Sequence, residues 1–68
     1  MNVVVNGSPA ELGQGTTVER LLAGLGHPPS GAGIAVAVNG EVVPRAAWAT
    51  TRLREQDQVE VVGAVQGG

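Results

Sequence analysis

In Ile34-Ala35-Val36-Ala37-Val38-Asn39-Gly40-Glu41-Val42-Val43-Pro44 a turn dipeptide separates two apolar runs. Asn-Gly is the dipeptide that best tolerates the positive φ angles of a tight hairpin turn, so two strands are predicted to meet at Asn39-Gly40. Pro44 closes the second strand because it has no amide to donate. In the first, Ile34, Val36 and Val38 fall on one face at period two and Ala35 and Ala37 on the other. That alternation predicts a sheet with one packed face and one lightly packed or solvated face. Working outward, the valine run of residues 2–6 ends in Asn6-Gly7, and Pro9-Ala10-Glu11-Leu12 can return as a second strand, giving another hairpin. The shared Val-Asn-Gly is one turn solution used twice and no sign of a duplicated repeat.

Between the hairpins, Val18, Leu21, Leu22 and Leu25 recur at i, i+3, i+4 and i+7, the apolar stripe of a short helix. Thr16 is the expected cap, with Glu19 bonding back to the Thr16 amide, and Gly26 suits the left-handed residue that ends the helix. His27 to Gly33 reads as a loop, Arg45 to Thr51 as a short helical turn, and Gln58-Val59-Glu60-Val61-Val62 as a final strand. The order is hairpin, helix, hairpin, strand. A single helix must bury its stripe on one face of the combined sheet, and the last strand, without a hairpin partner of its own, is expected to enter beside the first. This is the β-grasp order: an α+β fold with a mixed sheet of about five strands and one main helix. One domain is expected over residues 1–68, with a flexible C-terminal tail at about 65–68.

Composition narrows the chemistry. A chain of 68 residues buries only about 60% of the surface its unfolded form exposes, which disfavours a deep enclosed active site. There is no cysteine and one histidine, so neither a disulfide staple nor a zinc site is expected. Trp48 is the only aromatic residue, and four arginines are outnumbered by six acids for a net charge of −2. Base stacking and phosphate neutralisation are therefore both disfavoured, and no nucleic-acid partner is expected. The N-terminus has no cationic region and only a short apolar run, far from a signal peptide or membrane span. A cytoplasmic protein is expected, in which the sequon Asn6-Gly7-Ser8 has no consequence.

The remaining motifs are weak. Gly13-x-Gly15 and Gly31-x-Gly33 lack the third glycine of a phosphate-cradling loop and the chain has no lysine, so loop flexibility accounts for both. His27 has no cysteine to activate and sits beside two prolines. Trp48 is expected at the edge of the core more than in a partner contact, and Arg45 as a solvated charge or surface ion pair. The chain closes on Val65-Gln66-Gly67-Gly68, after the strand. At average glycine content a terminal Gly-Gly arises roughly once in 200 chains, and at this composition roughly once in 40, so the tail alone decides little.

Taken together, Ala37-Val38-Asn39-Gly40-Glu41-Val42-Val43-Pro44-Arg45-Ala46-Ala47-Trp48-Ala49, then Leu53, Asp57-Gln58-Val59-Glu60-Val61-Val62 and Gly67-Gly68, closely resemble the ThiS family, the ubiquitin-like sulfur carriers of bacterial thiamine biosynthesis. The similarity runs over nearly the whole chain, including Thr17-Val18-Glu19-Arg20-Leu21-Leu22. One departure is Gln56, where such sequences usually carry glycine, which bears on the turn before the last strand.

The resemblance implies that the Gly68 carboxylate is adenylated by a ubiquitin-activating-like adenylyltransferase using ATP and magnesium. A sulfur donor protein then supplies the atom that converts it to a thiocarboxylate, and the sulfur passes to thiazole synthase. On this reading the chain is no enzyme and binds no cofactor or metal itself. An ionised α-carboxylate, with a pKa of about 3.5, resists nucleophiles until AMP is made its leaving group. Gln66 and Gly67 would form a threading tail, since glycine without a Cβ passes a narrow channel. Val62, Ala64 and Val65 are candidates for a partly exposed apolar docking surface, Val59 and Val61 already supplying the inward face of the strand. The alternatives are a sulfur carrier like the small subunit of molybdopterin synthase and a ubiquitin-like protein modifier.

Overall fold

The computed structural model describes residues 1–28 and 30–63. Both Asn-Gly turns form as expected. Asn6 and Gly7 have φ of 50° and 83°, and Asn39 and Gly40 have 52° and 82°, the two successive positive values of a type I′ hairpin turn. The first turn joins β1 (Asn2–Val5) to β2 (Ser8–Glu11) with Val5 opposite Ser8. The second joins β3 (Ile34–Val38) to β4 (Glu41–Val42) with Val38 opposite Glu41.

The last strand, β5 (Gln58–Gly63), enters beside β1 and in parallel with it, Val5 facing Val59, and it also pairs antiparallel with β3 from Val38↔Val59 to Ile34↔Gly63. The sheet order is β2-β1-β5-β3-β4. The C-terminal strand is thus the centre of the sheet, joining two hairpins that do not touch each other through their own strands.

Helix α1 (Val18–Gly24) buries Val18, Leu21 and Leu22 in one cluster with Val36 and Val59 of the sheet, Trp48 and Leu53. Each aliphatic side chain so buried contributes about 1.5–3 kcal/mol of transfer free energy. The expected stripe holds except at its end, where Leu25 is 49% exposed. The helix stops in a Schellman arrangement. Gly26 has φ of 88°, its amide donates to Ala23, and the His27 amide donates to the Leu22 carbonyl at 3.0 Å.

The N-terminal cap differs from expectation by one residue. Thr17, not Thr16, caps α1, its side chain accepting from the Arg20 amide at 3.2 Å. Thr16 turns its hydroxyl back to donate to the Gly13 carbonyl at 2.7 Å. The cause is tertiary. Leu53 donates to the Thr16 carbonyl, Val18 donates to Thr51, and Thr17 bridges Arg52, so residues 16 and 17 are held extended against residues 51–53 and the helix can begin only at Val18. Glu19 consequently lies one position early for a capping box, and its amide donates to the Trp48 carbonyl.

A single 3-10 turn (Arg45–Ala47) follows Pro44. It delivers Trp48 to the core, 6% exposed, with the indole N–H donating to the Val43 carbonyl at 2.9 Å. No helix among the described residues is long and apolar enough to cross a membrane.

Candidate functional site

The sheet has two unlike faces. Val3, Val36 and Val59 turn towards the helix and are buried, while Val5, Ile34, Val38 and Val61 pack partly against the same core. The opposite face carries Val62, which stands across from Ala35, and Ala37, which stands between Glu60 and Val42. Val62 is 62% exposed and Val42 71%. Together with the two alanines they form a shallow apolar patch beside Glu60, on the strand that leads to the chain's last residues. Val62 therefore stands exposed on the face away from the helix, with the inward face supplied by Val59 and Val61.

Sequence reasoning named Val62 but missed Val42. The signal was available: a two-residue turn at Asn39-Gly40 fixes Val42 opposite Ala37, and the alternation in β3 had already placed Ala37 away from the core. Ala64, Val65, Gln66, Gly67 and Gly68, the other residues singled out in the sequence, lie outside the described residues.

The position of β5 is fixed by asparagine side chains as well as by strand pairing. The parallel ladder runs through Val4 N–H to Asp57 and Asn6 N–H to Val59, both at 2.9 Å. There β1 turns away at Gly7. The Asn6 carboxamide takes over as the next rung, its Oδ1 accepting from the Val61 amide at 2.8 Å and its Nδ2 donating to the Val61 carbonyl at 3.2 Å. At the other end Asn39 does the same. Its Oδ1 accepts from the Gln58 amide and its Nδ2 donates to Asp57 Oδ1, each at 2.9 Å. Both turn asparagines thus set the register of the strand that carries Val62.

The turn into β5 depends on Asp57 and Gln56. Asp57 Oδ2 accepts from the Arg54 amide at 2.8 Å, and the Asp57 amide donates to Arg54 O at 3.1 Å. Gln56, third in that turn, has φ of 72°, the left-handed value that a type II turn requires and glycine adopts without strain. The departure at this position leaves the turn intact and loads it with backbone strain. The Gln56 amide remains bound to the Asn2 carbonyl at 2.6 Å.

The other candidates are resolved by their surroundings. His27 ends the Schellman motif through its backbone. Trp48 is a core residue, as expected. Arg45 donates through Nη1 to the Ser30 carbonyl. Gly31 is more than a flexible loop glycine: at φ of 66°, a Cβ built on it would lie 2.4 Å from Trp48 Cζ3. The backbone there passes so close to the indole that there is no room for a side chain. Among the described residues no group of three His, Cys, Asp or Glu could hold a metal ion.

A mixed sheet in this strand order, one helix on one face and an apolar patch on the other, defines a ubiquitin-like β-grasp protein. The chain belongs to the ThiS family, whose model matches residues 3–68. It is 32% identical to the sulfur carrier protein ThiS of Escherichia coli, each chain covering the whole of the other. It is 43% identical to a thiazole synthase of Magnetococcus marinus, over all 68 residues of this chain and 20% of that protein. The chain likewise spans a fifth of a thiazole synthase of Paramagnetospirillum magneticum, at 34% identity. Among solved structures, the crystal structure of the thiamine biosynthesis protein ThiS from Geobacter metallireducens superposes with a TM-score of 0.82 at 33% identity, covering all of both chains.

Proposed function

We propose that this chain is a sulfur carrier of thiamine biosynthesis, acting in the cytoplasm as a protein substrate of other enzymes and binding no cofactor itself. The match over the full length of a named sulfur carrier supports that reading most directly. The reacting atom is the carboxyl carbon of Gly68, taken as the last residue of the mature carrier. A carboxylate oxygen attacks the α-phosphorus of ATP bound with magnesium on the activating enzyme, and pyrophosphate leaves. Sulfur delivered by the donor protein at the sulfide level then attacks the acyl carbon, the new C–S bond forming as the C–O bond to AMP breaks and AMP leaves with its electron pair, and thiazole synthase consumes the resulting thiocarboxylate. Gln66 and Gly67 form the threading tail in this proposal, and bulk at Gly67, which has no Cβ, would obstruct a narrow channel.

The patch of Val62, Val42, Ala35 and Ala37 is the docking surface in this proposal, with Ala64 and Val65 as further candidate partner contacts. Apolar area of this kind supplies binding free energy only when a partner covers it. The occurrence of the same chain length inside two thiazole synthases supports that enzyme as one partner.

The test is ATP–pyrophosphate exchange with the cognate activating enzyme. Deleting Gly68 should abolish exchange and leave the melting temperature unchanged. If the truncated protein still supports exchange, the assignment of Gly68 is wrong. Loss of the gene should cause a thiamine requirement, whereas loss of molybdenum-cofactor enzymes would favour the molybdopterin reading.

A further inference from the structure

Three of the four arginines, Arg20, Arg52 and Arg54, line one open hollow of about 720 Å³ between the start of α1 and the segment that leads to β5. All three are exposed. Among the described residues their guanidinium groups donate no hydrogen bond, in contrast to Arg45. The neighbouring carboxylates are occupied elsewhere. Glu55 Oε1 accepts from the Asn2 amide, the Asp57 oxygens accept from Arg54 N–H and Asn39 Nδ2, and Glu19 lines the hollow beside Trp48, which Arg20 also borders. A protein of net charge −2 thus concentrates its unspent cations in one place.

We propose that this hollow docks an acidic polypeptide segment of a partner protein. The donors available select the ligand class. The amides that a small phosphate would need are already bound: Val18 to Thr51, Glu19 to Trp48, Leu21 to Thr17, and Arg20 to the Thr17 hydroxyl. The Thr50 hydroxyl is spent on the Ala47 carbonyl. Of the side-chain donors among the described residues lining the hollow, the guanidinium groups remain, and their planar forks pair bidentately with carboxylates as they do with phosphates. RNA is disfavoured because the hollow offers no aromatic ring for stacking, Trp48 being buried. The arginines precede β5 and Val62 lies towards its far end, while Val42 borders a second hollow with Arg52 and Arg54. From Gln58 to Gly63 the strand advances about 17 Å, so an acidic segment held here leaves the opposite end of β5 free for a second protein. The inference does not depend on the sulfur-carrier reading.

The test is a titration of the isotope-labelled full chain, followed by amide chemical shifts, with a hexaglutamate peptide, inorganic phosphate and a uridine oligonucleotide in parallel. The peptide should shift amides at residues 16–20 and 49–55, and its affinity should fall as salt is raised through the physiological range. Arg20→Gln, Arg52→Gln and Arg54→Gln should each weaken it by about two- to fivefold, while Arg45→Gln leaves it unchanged and all four variants retain the buried Trp48 fluorescence. The proposal is overturned if peptide shifts fall elsewhere or are absent, or if the triple variant binds as well as the parent. It is equally overturned if phosphate alone reproduces the shifts at the same concentration, or if the oligonucleotide binds more tightly than the peptide.

Discussion

Replacing Gly31 with alanine tests how the single tryptophan is seated. The new Cβ would sit 2.4 Å from Trp48 Cζ3, 2.8 Å from Cη2 and 3.0 Å from Arg45 Cδ, where ordinary carbon contacts lie at about 3.5–4.0 Å. The Arg45 chain can swing aside. The indole cannot easily do so, because it is buried and its N–H is bound to the Val43 carbonyl at 2.9 Å. Forcing the ring back costs about 1–3 kcal/mol as overpacking, and a left-handed φ adds about 1 kcal/mol for any residue with a Cβ. The expected loss is about 2–4 kcal/mol, against a total stability of roughly 3–10 kcal/mol for a chain of this size. The melting temperature should fall by about 10–30 °C. Urea unfolding followed by Trp48 emission measures it without interference, since the chain has no other aromatic. Gly15→Ala is the control, with φ of 81° and nothing within 4 Å of the added Cβ, and should cost only the conformational part, about 1 kcal/mol. If both variants lose the same amount and the emission of Gly31→Ala is unchanged, contact with the indole plays no part in the choice of glycine.

Three further outcomes are expected. Asn6→Gly keeps the turn geometry but removes both bonds to Val61, and should cost about 1 kcal/mol and raise hydrogen exchange at the Val61 amide several-fold; unchanged exchange there would show that the side chain does not hold β5. Val62→Lys and Val42→Lys should each change stability by less than about 1 kcal/mol, because both side chains are exposed. Each should nonetheless weaken binding to the activating enzyme by about fivefold or more in calorimetry, and undiminished affinity in both would remove the patch from the docking surface. Gln56→Gly relieves the left-handed strain at the price of a more flexible unfolded chain, so thermal unfolding should show a gain between zero and about 1 kcal/mol, while a loss would mean that the Gln56 side chain matters.

Most of the fold was legible because local chemistry and global topology agree. Two Asn-Gly dipeptides dictate two hairpins, a stripe at helical period dictates one helix, and a lone alternating strand has only the sheet to join. What escaped the sequence came from contacts between distant segments. Thr16 and Thr17 are equivalent as caps until residues 51–53 hold them extended. Gly31 reads as loop punctuation until Trp48, seventeen positions away, is laid against it. The asparagines were legible as turn formers, whereas their bonds to Val61 and Gln58 require knowing that β5 passes between the hairpins. On the candidate site, Val62 was legible from strand alternation and Val42 from turn register, but the residues assigned the chemistry, 66–68, carry no local pattern beyond the glycines themselves.

Whether Gly68 carries sulfur can be read from intact mass spectrometry of the protein isolated rapidly from its native cell. The expected result is a species ending at Gly68 whose mass exceeds the carboxylate form by the exchange of one oxygen for sulfur, and which disappears when the activating enzyme is deleted. A mature chain that continues beyond Gly68, or a Gly68 found only in amide linkage to lysines of other proteins, would contradict it.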